Sequence, residues 1–263
     1  MSAPPAVVTI ATPDRIAGAR VLASTLAEHH PQLPMFVALH GGTPDTRREP
    51  FATLSLAAPA GLAPMPACCL LKPRALEYLL DAGHGAVLYL DADMAAFGPL
   101  DDLLAAVCEH PMVLTPHLVE PGALERERLV LASGTYNGGL VGVRDTPAVR
   151  RFLAWWQARI EQHPLSDPAA GINHDQRWLD LAPGHVAGLH VLRAPDINVG
   201  HWRLPAARPP RLAHFSGFDP AAPELVSRHA PGLRSADAGA AAPLHAEYAR
   251  RLSAASQGAP TLL

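Results

Sequence analysis

The chain is poor in cysteine: Cys68, Cys69 and Cys108 are the only three among 263 residues. An odd count with two adjacent thiols offers no disulfide framework and fits a reduced interior. No apolar run approaches the roughly 20 residues that cross a bilayer, so no membrane span is expected. The opening stretch MSAPPAVVTIATPDR has neither a basic n-region nor a long apolar h-region, and no secretion signal is read in it. A cytoplasmic location is the expectation. Positive charge is not in excess either. The 21 Lys and Arg against 24 Asp and Glu leave a formal net charge of −3 with no basic run, so no nucleic-acid partner is expected. Internal repeats and a clear interdomain linker are also missing.

What is present is a globular composition, 49% hydrophobic and 17% charged, in a chain long enough to bury a sizeable core. Apolar segments alternate with helical patterns. AVVTIA (6–11) reads as a buried strand, and Ile16, Ala19, Leu22, Ala23 and Leu26 then fall on one helical face. MFVALH (35–40) is a second strand. In LKPRALEYLLDAGHG, Pro73 reads as a first helical residue and Leu76, Leu79 and Leu80 as its apolar stripe. A helix beginning near Pro99 carries Asp101 and Asp102 in its first turn. MVLT and GLVGV are further strands, and Thr146-Pro147 caps a helix whose Val149, Phe152, Leu153, Trp156 and Ile160 share a side. Short strands are expected near 189–192 and 212–215, and a last helix from Pro243 to Ala255. The β-α-β-α rhythm predicts an α/β fold, a sheet covered on both faces. Residues 1–220 form its main unit, and 221–263 a C-terminal extension of the same domain.

Within this rhythm AVLYLDADM stands out, because an apolar strand delivers Asp91 and Asp93 at its carboxyl end. Fourteen aspartates make roughly one Asp-x-Asp expected by chance, so position carries the weight. Ligands of open α/β sheets bind beyond the carboxyl ends of strands, and two carboxylates one residue apart suit a hard cation such as Mg²⁺ or Mn²⁺. The plain alternative is a polar turn before the next helix. A phosphatase-type nucleophile pair is disfavoured: Ala95 stands where the haloacid-dehalogenase pattern has Thr, and the pair lies a third of the way into the chain.

Six segments in order, VVTIAT, LKPRAL, VLYLDADM, YNGGLVGV, HDQRWLDL and LAHFSG, resemble those of the nucleotide-sugar glycosyltransferases of the GT-A fold. The likeness is to the family 8 group that contains glycogenin and bacterial lipopolysaccharide glycosyltransferases, and it runs from Val7 to about Pro220. It implies a GT-A, Rossmann-like single domain with a mixed central sheet flanked by helices. It also implies Mn²⁺ or Mg²⁺ held by Asp91, Asp93 and His214. The nucleotide base would meet Ala11 and Thr12, and Lys72 the diphosphate. Asn137, together with Asp91, would lie beside the donor, and Asp175 and Gln176 in the sugar pocket as the catalytic pair.

The implied reaction moves a sugar from a UDP-hexose donor to an acceptor that is not identified, with retention. A retaining enzyme needs no dedicated base. An inverting one would need a carboxylate or His on the acceptor side, Asp175 first. Each residue also has a plain reading. His214 would be structural or exposed, Lys72 solvated, Asn137 a turn residue before two glycines, and Asp175 a helix N-cap. Trp156 belongs to the apolar stripe; His174 and Asp196 are left open. The late element departs from the family: HFSGFDP lacks the Lys-Pro-Trp continuation, leaving Lys72, the metal or another basic residue such as Arg228 to neutralise phosphate. Two other classes remain, a nucleotide-sugar-binding module without turnover and a nucleotidylyltransferase. The latter carries a Gly-rich basic loop that ATPDRIAGAR lacks. Acceptor-reading loops are expected within His117 to Ser133 and after Pro205.

Overall fold

The computed structural model describes residues 5–41, 49–59 and 61–257. The first half alternates as expected: β1 (Ala6–Ala11), α1 (Ile16–His29), β2 (Met35–Leu39), β3 (Ala52–Leu54), α2 (Pro64–Asp81) and β4 (Ala86–Leu90). A three-residue strand β5 (Met94–Ala96) precedes α3 (Asp101–Glu109), β6 (Met112–Pro116), α4 (Leu124–Ser133) and β7 (Tyr136–Arg144). After α5 (Pro147–Gln162) come the short α6 (Ala182–His185) and three short strands, β8 (His190–Val191), β9 (Ile197–Val199) and β10 (Leu212–His214). Helix α7 (Ala242–Ser256) ends the described chain.

Seven strands form a mixed sheet in the order β3-β2-β1-β4-β7-β6-β8, with β7 antiparallel to both neighbours. Its strands read as continuous apolar runs because both faces are covered. Alternate residues go to opposite sides of the pleat. Val87 and Tyr89 join the layer under α2 and α5, whereas Ala86, Leu88 and Leu90 join the layer under α1 and α3. The expected stripe of α5, Val149, Phe152, Leu153, Trp156 and Ile160, is buried throughout, and the Thr146 hydroxyl accepts from Val149 N–H as the cap.

The second sheet, β5-β10-β9, explains why acids follow an apolar strand. At Leu90 the chain leaves the large sheet, and at Met94 it enters the small one, so Asp91, Ala92 and Asp93 occupy the crossing. The crossing is pinned from three sides: Asp91 N–H donates to Gly139 O at 2.9 Å, Met94 N–H to Asp91 O at 3.1 Å, and Phe215 N–H to Asp93 O at 2.9 Å. Antiparallel pairing of β10 with β5 sets His214 opposite Met94, which brings a residue distant in sequence next to Asp93.

Two expectations need correction. Pro73 does not start a helix; α2 begins at Pro64, nine residues earlier, and Pro73 lies inside it. Pro64 and Pro66 suit the first turn, where amide hydrogens have no partner, while Pro73 leaves one carbonyl of the preceding turn without its helical bond. The helix expected from Pro99 begins at Asp101, still with both acids in its first turn. At the other end, α7 packs along α1, where Arg20 Nη1 donates to Ala255 O at 2.7 Å, and Tyr248 stacks on Phe215 with centroids 3.8 Å apart.

Helix α1 fits against the acidic crossing only because position 18 has no side chain. A Cβ on Gly18 would lie 2.5 Å from the backbone oxygen of Ala92. Gly18→Ala is expected to destabilise the protein by about 1–3 kcal/mol, as overpacking does, seen as a lower urea midpoint at unchanged slope.

Candidate functional site

The carboxyl ends of β1 and β4 open into a cleft of about 1540 Å³ whose lining includes Ala11, Thr12, Lys72, Asp91, Asp93, Asn137, Asp175 and Gln176. His214, from β10, lies buried behind the two acids. Its Nε2 lies 3.1 Å from Asp93 Oδ1 and 3.7 Å from Asp91 Oδ2. One ligand atom from each of the three residues falls within 4.8 Å of the others, the only such group among the described residues. Burial alone would raise the Asp93 carboxyl, but the adjacent His214 ring holds it below the usual range. Burial would likewise lower His214, and the charge of Asp93 instead raises it.

These residues fit a divalent cation. Asp93 Oδ1 is buried and receives no hydrogen bond of acceptable direction, although an imidazole nitrogen is near. The separations of 3.1 and 3.7 Å fall inside the roughly 4.2 Å that two ligands can span across an ion with bonds near 2.1 Å. Two carboxylates and an imidazole suit Mn²⁺ well and Mg²⁺ adequately.

Lys72 is the sole lysine of the chain and only 6% exposed. Its ammonium lies 2.9 Å from Asp175 Oδ2 and 3.3 Å from Asp91 Oδ1, and donates to Gly138 O at 3.0 Å. Burial would lower its pKa, yet the two carboxylates drive it up. The solvated reading of Lys72 is therefore wrong, because the side chain bridges two acids in the interior. Asp175 does stand at the N-cap of a short 3-10 helix, Gln176–Leu181, but its side chain makes no cap hydrogen bond. The backbone oxygen of Asp175 instead accepts from the core Trp156 Nε1 at 2.9 Å.

Between the two acidic groups runs β7. Asn137 sits within this strand rather than in a turn, and Gly138 and Gly139 present their bare Cα atoms to opposite faces. A Cβ on Gly139 would meet His214 Cε1 at 2.5 Å and Asp91 Oδ2 at 2.8 Å, and one on Gly138 would meet Asp175 Oδ2 at 3.0 Å. The pair of glycines thus allows both clusters to approach the same strand. Gln176 is fastened here as well: Oε1 accepts from Gly138 N–H at 2.9 Å, and Nε2 donates to Ser133 O at 2.9 Å.

Of the residues left open, His174 lines the cleft with a left-handed backbone, φ 47°. Asp196 is a structural partner, 3.0 Å from Arg211. Arg228 is exposed and lines the cleft. The sequence reading missed Tyr89, Asn198 and the role of His117. The Tyr89 hydroxyl donates to Asp91 Oδ1 at 2.6 Å; its signal was the period of two that puts residues 89 and 91 on one face. Nothing in the sequence singles out Asn198 beyond a polar residue in a short apolar strand.

No family model matches the sequence, and no curated protein sequence matches it. Among solved structures, galactosyltransferase LgtC in complex with donor and acceptor sugar analogues gives a TM-score of 0.61 at 16% identity, over 97% of each chain. An active-site glutamine-to-glutamate mutant of LgtC gives 0.61 at 13% identity, over 98% of this chain and 97% of that one. The glycosyltransferase GlyE of Streptococcus pneumoniae TIGR4 gives 0.61 at 14% identity, over 96% of this chain, which spans 63% of the GlyE chain. At such identities the likeness establishes the fold, and the chain has the GT-A fold of these glycosyltransferases.

Lys72→Met leaves Asp91 and Asp175 without their shared cation and should destabilise the protein by about 3–5 kcal/mol in urea unfolding. A second expectation concerns His117, whose pKa burial pushes down to about 4, with His214 and Arg203 adding to the effect. The unfolded chain, near 6.5, then binds the extra proton first. The stabilisation from neutral His117 is complete above pH 6.5 and is lost as pH falls towards 4, by up to about 1.4 kcal/mol per unit. Urea midpoints across that range should fall more steeply for the wild type than for His117→Phe.

Proposed function

We propose that the protein is a metal-dependent glycosyltransferase that takes a sugar from a nucleotide diphosphate donor and passes it to an acceptor. The observation that carries this reading is the convergence of Asp91, Asp93 and His214 at the carboxyl end of β4, beside the Lys72–Asp175 pair. It occurs in a fold shared with LgtC, a galactosyltransferase crystallised with donor and acceptor sugar analogues.

Asp91, Asp93 and His214 would hold Mn²⁺ or Mg²⁺, which when bound supplies Lewis-acid neutralisation of the departing diphosphate. The chain's own residues do the rest. Ala11 and Thr12, at the end of β1, form the wall that meets the nucleotide base. Asn137 and Gln176, both tied to the backbone of β7, fix the shape of the sugar pocket. A glutamine is also the altered active-site residue in the LgtC mutant.

Asp175 carries the stereochemical expectation. An ammonium 2.9 Å away already occupies its Oδ2, which suits the carboxylate to act as an electrostatic partner for positive charge at the anomeric carbon rather than as a base towards an acceptor. That favours retention over inversion through an Asp175 base. UDP-hexose is the donor suggested by the family likeness. Lys72 is already committed to two carboxylates, so a donor phosphate finds its free cationic group in Arg228 at the rim. The acceptor is assigned to the side of the cleft lined by Arg126 and Leu129 of α4 and by Leu204, Pro205 and Leu233. That side includes both segments expected to read acceptors.

The test is incubation with Mn²⁺ and a panel of nucleotide sugars, where slow donor hydrolysis is expected from a transferase. Metal-dependent nucleotide binding with neither hydrolysis nor transfer would instead mark a binding module. Asp93→Asn should weaken Mn²⁺-dependent UDP binding, measured by calorimetry, by more than about 100-fold, beyond what outer-shell changes give. Unchanged binding would sink the site assignment.

A further inference from the structure

A chain of four buried side chains leads away from the acidic crossing, and two backbone groups fix the direction of every hydrogen bond in it. Gly139 N–H lies 3.0 Å from Asn137 and can only donate, so the atom it meets is Oδ1. The Asn137 amide nitrogen then faces His117 Nε2 at 3.2 Å and Gln176 Oε1 at 3.3 Å. His117 Nε2 must accept, which puts the ring proton on Nδ1. There Gly134 O waits at 2.8 Å, a carbonyl that can only accept, so the far end of the chain agrees with the near end.

The same logic runs the other way. Asn137 Oδ1 is also 3.0 Å from the Asn198 side chain, which must therefore present its amide nitrogen. That nitrogen's second hydrogen goes to Thr115 Oγ1 at 2.7 Å. Asn198 Oδ1 is left facing His214 Nδ1 at 3.0 Å, and an oxygen without a hydrogen forces His214 Nδ1 to donate. Nε2, the nitrogen aimed at Asp91 and Asp93, is then the one through which the ring can bind a cation.

We propose that Asn198 is a positioning residue that fixes His214 with its hydrogen on Nδ1, so that Nε2 is presented to a cation between Asp91 and Asp93. The consequence for cation binding rests on the metal-site reading above; the hydrogen placement does not. An imidazole bound to a metal through one nitrogen needs the other to carry a hydrogen, and an outer-shell acceptor enforces this. Asn198 is suited to the task. It is 1% exposed and held at φ 56°, a left-handed conformation that Asn tolerates better than most non-glycine residues. A main-chain carbonyl could accept the same hydrogen. Only a side chain with both an acceptor and two donors also ties His214 to Asn137 and Thr115.

The experiment uses the full chain with two substitutions and two readouts. Mn²⁺ binding is followed by the loss of the free-ion electron paramagnetic resonance signal. The His214 Nδ1–H is followed by nitrogen-15 NMR as a slowly exchanging imidazole resonance, assigned through its absence in His214→Gln. Asn198→Ala should lose the resonance and weaken Mn²⁺ about 10–100-fold. Asn198→Asp keeps an acceptor and should retain the resonance, with Mn²⁺ affinity within about threefold of wild type or tighter. The proposal is overturned if Asn198→Ala binds Mn²⁺ like the wild type with the resonance intact, or if folded Asn198→Asp loses it. A wild type that ignores Mn²⁺ refutes the metal site and with it the cation-presenting role, while the resonance still reports whether Asn198 sets the ring.

Discussion

A single buried ammonium lets two acidic groups occupy one interior. Asp91 and Asp175 come from different parts of the chain, one at the end of a central strand and one before a 3-10 turn, and Lys72 lies within reach of both. Without it the site would bring like charges together in a low-dielectric setting, an arrangement that carboxylates escape by taking up protons. With it, Asp175 Oδ2 has a cation 2.9 Å away, and Asp91 keeps its other oxygen, Oδ2, turned towards His214. The pair is also a strut. It joins α2, the end of β4 and the segment after α5, adding an ionic tie to the strand pairing of β4 and to the Trp156–Asp175 hydrogen bond.

The second constraint is the closeness of backbones. Cation-binding side chains are short, so the strands that bear them must nearly touch, and the protein achieves this with glycines at three contacts. Gly18 lets α1 rest on the carbonyl of Ala92, Gly139 makes room for His214 and Asp91, and Gly138 does the same for Asp175. The acidic crossing is therefore closely packed by backbone on several sides. A preorganised site of this kind does not have to reorganise its dipoles while charge moves on the substrate.

How much of this the sequence discloses depends on whether a signal is local. Strand alternation, the apolar stripes of α1 and α5, and the Thr146-Pro147 cap are all written in neighbouring residues, and the structure follows them. Order along the chain also placed Asp91, Asp93 and His214 in one series of motifs, and they meet in space. The environment of Lys72 was hidden, since its burial comes from α2 beginning at Pro64 and from acids 19 and 103 residues further on. Asn198 was hidden for a similar reason. Its partners lie on β6, β7 and β10, and only tertiary pairing brings them to it.

The position of that one ammonium has a consequence beyond the cleft. Every other basic side chain outside histidine is an arginine, so the folded surface carries guanidinium groups and no lysine amine. Guanidinium does not form the amide and isopeptide linkages that lysine amines accept. An acetyl group or a ubiquitin-like tag directed at lysine could attach only after the Asp91–Lys72–Asp175 bridge had opened, so covalent marking of this chain through lysine is coupled to loss of the site itself.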